Sequence, residues 1–74
     1  MKRVEFTDEQ QLEVTGLAHA ALVALPYARR VVRIEYEGRE YRAVWCRNQV
    51  RGQRRFQVQS LDKRCLIAEG CEGF

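Results

Sequence analysis

Cys46, Cys65, Cys71 and His19 are the side chains in this 74-residue chain whose types suit nucleophilic or metal chemistry. A catalytic thiol needs a base within reach and a third group to orient that base. No known signature surrounds any of the three cysteines. Three Cys and one His equal the ligand count of a Cys₃His zinc site, but none of them share the short spacing of a zinc knuckle. An odd number of cysteines argues against a disulfide framework, so reduced thiols are expected. Gly16, Gly38, Gly52, Gly70 and Gly73 are all isolated, which leaves no glycine-rich phosphate loop. The expectation is a protein that is not an enzyme and holds no metal and no cofactor.

The stronger signal is charge. The net charge of +3 is spread unevenly: residues 29–55 hold nine Arg against three Glu, and residues 41–55 hold five Arg and no acid. Arg outnumbers Lys by 11 to 2. Its planar fork suits phosphate, carboxylate and aromatic partners, although codon bias in a GC-rich genome would enrich it too. Arg47-Asn48-Gln49-Val50-Arg51-Gly52-Gln53-Arg54-Arg55 combines four Arg and three amides without an acid. A hairpin tip of this composition can follow a phosphate backbone, or meet an acidic protein surface where Arg is a common anchor, or simply be solvated. Arg42, Arg47, Asn48, Gln49, Arg51, Arg54 and Arg55 are the expected partner-binding residues.

The elements that must carry this arm follow from periodicity. Lys2–Phe6 alternates as a short strand. Thr7-Asp8-Glu9-Gln10 reads as a capping box, with acids at the positive end of the helix dipole. The helix is predicted to run to Leu25, before Pro26. Its buried stripe would be Val14, Leu17, Ala18, Ala21, Leu22 and Leu25. Leu12, Gly16, His19 and Val23 form a second row facing outward, either a secondary binding surface or ordinary scattered surface apolarity.

Strands follow at Arg30–Glu37 and Glu40–Arg47. A Gly38-Arg39 turn of type II′ would oppose Glu35 to Arg42, Tyr36 to Tyr41 and Val32 to Trp45. A Glu37-Gly38 turn would set Glu35 against Glu40 and Arg33 against Arg42, and like charges directly opposite are destabilising. The first register is therefore expected. It gives an apolar face of Val32, Ile34, Tyr36, Tyr41, Ala43 and Trp45. A second turn at Arg51-Gly52 would pair Trp45 with Val58 and add Phe56 and Val58 to that face. Asp62-Lys63 turns the chain into a last strand over 64–68, with Ile67 inward and residues 70–74 as a fraying tail.

The result is an α+β domain over 1–69, ordered β-α-β-β-β-β: one helix on a meandering antiparallel sheet, or a partly closed small barrel. Hydrophobic residues at 46% and charged residues at 31% fit a globular chain. Glu5, Asp8 and Glu9 interrupt any apolar leader, and no run nears the ~20 residues that span a bilayer. A cytoplasmic protein without membrane contact is expected. On the open sheet face, Arg33 and Val44 add to the secondary surface, and a homodimer through this face is an alternative. No aromatic lies there, unlike an RNA-recognition sheet whose rings stack on bases.

In size, economy and its Arg47–Arg55 arm, the chain resembles in type the small phage- or plasmid-encoded regulators. That resemblance implies a regulator or inhibitor docked on a host protein complex that handles nucleic acid, in transcription or defence. Direct RNA or DNA binding through the same arm is the alternative.

Overall fold

The computed structural model describes residues 2–3, 5–26, 28–47 and 52–73. The order is β1 (Lys2–Arg3), α1 (Asp8–Val23), β2 (Val31–Tyr36), β3 (Arg39–Trp45), β4 (Gln53–Ser60) and β5 (Cys65–Gly73). This is the expected α+β architecture. The helix packs on the four antiparallel strands β2 to β5, and β1 adds to β5 in parallel. The sheet order β1-β5-β4-β3-β2 stays open, so the barrel alternative is not formed.

The capping box forms as read. The Gln10 amide donates to Thr7 Oγ1 at 3.1 Å, and the Thr7 amide donates to Gln10 Oε1 at 3.0 Å. The helix stops at Val23 rather than Leu25. Ala24 caps it, and the Leu25 amide turns back to the Leu22 carbonyl at 3.2 Å, a tightened last turn before Pro26.

The buried seam is also narrower than expected. Val14, Ala18 and Leu22 are buried, with Ala21 and Leu25 packed against the core, but Leu17 is 45% exposed. Successive residues sit about 100° apart around a helix, so Leu17 and His19 flank Ala18 on either side.

The inward sheet face is the one expected: Ile34, Tyr36, Tyr41, Ala43, Trp45, Phe56, Val58 and Ile67 are all buried, and Val32 is partly so. Burying these side chains supplies most of the fold's driving force, at ~1.5–3 kcal/mol for each large one before entropy is counted. Ala68 is buried beside Ile67 because the pairing shifts after Val58: Val58 faces Ala68, Gln59 faces Leu66, and Ile67 is the extra residue of a bulge.

Both hairpin registers differ from expectation by two residues. In the first, Ile34 pairs with Tyr41, Arg33 with Arg42 and Glu35 with Glu40, around a Glu37-Gly38 turn. Glu37 (φ 50°) and Gly38 (φ 77°) both have positive φ, the requirement of a type I′ turn. That turn's fit to strand twist outweighs the like-charge pairs, which are eased by a diagonal contact between Arg33 and Glu40 at 3.9 Å. In the second, Trp45 pairs with Phe56 rather than Val58. The expected Arg51-Gly52 turn lies in part outside the described residues.

The last strand does not end at Ala68. Residues 70–73, expected as a tail, continue β5 and pair with residues 53–56 of β4. Gly70 acts there as a strand residue. It lies against the Phe56 ring, where a Cβ would meet Cζ at 2.5 Å.

The turn into β5 is held by side chains. Asp62 Oδ1 accepts from Ser60 Oγ at 2.6 Å and from the Arg64 amide at 2.9 Å. The Ser60 hydroxyl and then the Arg64 amide hold the Asp62 carboxyl below its usual range.

Candidate arginine-rich docking surface

The described residues of the arginine arm do not form a single patch. Arg54 and Arg55 are consecutive in β4, and successive strand residues project to opposite faces. Arg54 lies on the helix side, its guanidinium carbon 3.8 Å from the centroid of the Trp45 ring. Arg55 lies on the open side and shares it with Arg42, Gln57 and Gln59. Arg47 follows the end of β3, where both sides meet. Asn48, Gln49 and Arg51 lie outside the described residues.

On the helix side a groove of about 580 Å³ opens between the end of α1 and the ends of β3 and β4. Leu22, Val23, Leu25 and Pro26 form its apolar wall. Arg29, Arg30, Arg47 and Arg54 form the other wall, and no acid is among the described lining residues. Two bonds fix Arg30 to the strand: its carbonyl accepts from the Trp45 amide at 2.9 Å, and its Nη2 donates to the Trp45 carbonyl at 3.3 Å. The Arg54 guanidinium lies against the indole of the buried Trp45, a cation–π contact worth ~0.5–1 kcal/mol at an exposed site. Two of the four guanidinium groups are thus pre-positioned.

The open face forms a second hollow, of about 550 Å³. Across its floor runs a chain of side-chain hydrogen bonds. Arg42 Nη1 donates to Gln59 Oε1 at 3.0 Å, Gln59 Nε2 to Gln57 Oε1 at 3.0 Å, and Gln57 Nε2 to Glu69 Oε1 at 3.2 Å. Gln59 is only 9% exposed, so the middle of this chain of bonds is shielded from solvent. Val31 and Val44 border it.

The secondary surface is divided by the structure. Val23, half exposed, belongs to the helix-side groove, while Leu12, 75% exposed, borders a recess at the other end of the helix. Arg33 and Val44 are on the open sheet face, as read. His19 does not face outward. Its ring stacks on Phe56 at 6.0 Å, and Nε2 meets Glu72 Oε2 at 2.5 Å. The helix is pinned by this contact on its β5 flank and by Tyr36, whose hydroxyl donates to Glu13 Oε2 at 2.9 Å on its β2 flank. Burial, then the bond to Glu13, raises the Tyr36 hydroxyl well above its ordinary range.

Among the described residues no group of three or more His, Cys, Asp or Glu gathers as metal ligands. Cys71 borders the recess holding His19 and Glu72, but no hydrogen bond joins its thiol to the imidazole among those of the described residues. No helix among the described residues is long and apolar enough to cross a membrane.

Arg29 and Arg30 line the groove but are not among the expected partner-binding residues; their signal in the sequence is two adjacent Arg after the Pro26 helix stop. No protein family matches the chain. Neither a curated protein nor a solved structure matches it.

Proposed function

We propose that this is a small non-enzymatic regulatory protein that docks, through its arginine-walled groove, on an acidic surface of a protein complex that handles nucleic acid. The observation that carries this reading is the composition of the helix-side groove: an aliphatic wall faces four arginines, and Arg30 and Arg54 are held in place before any partner arrives. Apolar contact area beside desolvated Arg is the composition of protein interface hot spots. Charge complementarity then selects an acidic partner and speeds encounter. Among the described residues, the large rings that a single-stranded nucleic acid would stack on are taken up by the core: Tyr36, Tyr41, Trp45 and Phe56 are buried. The regulatory role and the kind of complex rest on the resemblance in type to small phage- or plasmid-encoded regulators.

A second reading, direct RNA or DNA binding, is favoured by the open-face hollow, where Arg42 and Arg55 accompany Gln57 and Gln59. Affinity capture from lysate, run with and without nuclease, separates the two. A discrete set of proteins retained after nuclease supports the protein dock. Loss of all retained material with nuclease supports direct nucleic-acid binding, as does a steep fall of affinity with salt.

A further inference from the structure

The sheet order leaves β2 at an edge. The Glu37-Gly38 turn also decides which of its backbone groups are free. In a two-residue hairpin the closing pair, here Tyr36 and Arg39, is hydrogen-bonded, and bonded pairs then alternate along the ladder. The Trp45–Arg30 backbone bond falls in the same phase. The N–H and C=O groups of Val31, Arg33 and Glu35 therefore point away from β3. No backbone hydrogen bond among the described residues closes that edge. All three side chains are exposed on the open face.

Within one chain the charges on this edge are badly placed. Arg33 stands opposite Arg42, and Glu35 stands opposite Glu40. Charges usually protect an edge strand from further pairing. This edge is different because Arg-x-Glu is self-complementary when read antiparallel.

We propose that β2 is a homodimer interface, pairing edge to edge with β2 of a second copy of this chain. Arg33 then lies opposite the second copy's Glu35, Glu35 lies opposite the second copy's Arg33, and Ile34 sits at the two-fold axis. This register uses the free backbone groups on both strands, and it places an opposite charge beside Arg33 and Glu35, the edge member of each like-charged pair. A slip that set Arg33 against Arg33 would restore repulsion. The symmetry makes the contact closed, so the product is a dimer rather than a fibre. Six residues of edge strand bury less than a standard interface, so association is weak and concentration-dependent. The inference is independent of the docking function.

Sedimentation equilibrium over a wide concentration series tests it. The wild type is expected to move from 8.7 kDa toward twice that mass. Arg33→Glu and Glu35→Arg should each weaken the dimer by about tenfold or more, because each variant makes two like-charge pairs across the axis. Combining Arg33→Glu with Glu35→Arg should restore the dimer. Arg33→Glu also places an acid opposite Arg42 within its own hairpin, so loss of the dimer with an unchanged circular dichroism spectrum reports on the interface and not on folding. A wild type that stays monomeric overturns the proposal. So does a dimer indifferent to the single reversals, or a folded double variant that remains monomeric.

Discussion

Arg54 covers the face of Trp45, with its guanidinium carbon 3.8 Å from the ring centroid, so the arginine-walled groove and the hydrophobic core share one side chain. Trp45 is the single tryptophan, which makes its fluorescence a reporter of both. Trp45→Ala should cost about 3–5 kcal/mol in chemical denaturation, since the ring is only 5% exposed. Arg54→Ala should cost ~0.5–1 kcal/mol while changing the emission of the folded state. An unchanged Trp45 emission in Arg54→Ala would mean that the stacked arrangement does not persist in solution.

Two glycines should respond to alanine in opposite directions. Gly16 has open space where a Cβ would stand, and it lies within α1. Gly16→Ala should stabilise the fold by about 0.5–1 kcal/mol through helix propensity. At Gly70 a Cβ would press on Cζ, Cε1 and Cε2 of Phe56. Gly70→Ala should destabilise by about 1–3 kcal/mol, as overpacking does. Thermal melts of both variants check the pair, and a neutral Gly70→Ala would remove the close contact from the account.

The faces of the sheet were legible in the sequence, and the registers were not. Val32, Ile34, Tyr36, Tyr41, Ala43 and Trp45 share a face in any register that differs by two residues, so hydrophobic alternation cannot choose between them. Cross-strand charges such as Glu35 and Glu40 are at the surface and weakly coupled, so they do not set the register; the turn conformation at Glu37 and Gly38 does. The position of His19 is not legible either: it flanks the seam, and only the extension of β5 to Glu72 supplies its partner. The arm was legible as a charge cluster. Its split across two faces depends on where β4 begins, and Arg29 and Arg30 join it only through the fold.

The turn itself offers a prediction. Glu37 adopts φ 50°, and Asn accepts such a conformation more readily than Glu. Glu37→Asn creates Asn-Gly, the preferred type I′ pair. It should raise stability by about 0.5–1 kcal/mol in denaturant titration. A loss of stability would point back to the Gly38-Arg39 register.

Tyr36 predicts an alkaline limit. Its hydroxyl is raised, so above the ordinary tyrosine range, ~10, the folded state holds a proton that the unfolded state releases. Stability is then fully present at neutral pH and falls as pH rises beyond that range. Tyr36→Phe should lower stability at pH 7 by about 0.5–1.5 kcal/mol through loss of the bond to Glu13, and should flatten the alkaline decline. Parallel denaturation curves at pH 7 and above pH ~10 check both parts. An equal decline in the two proteins would show that another group sets the limit.

In the proposed function, the groove beside the helix end, rather than the open sheet face, holds the partner. The most direct measurement compares two variants in capture from nuclease-treated lysate. Arg29→Ala/Arg30→Ala/Arg54→Ala strips the groove, and Arg42→Ala/Arg55→Ala strips the open face. The first variant is expected to lose the proteins retained by the wild type and the second to keep them, with both variants folded by circular dichroism. Retention by the first variant with loss by the second would contradict it and move the docking site to the open face.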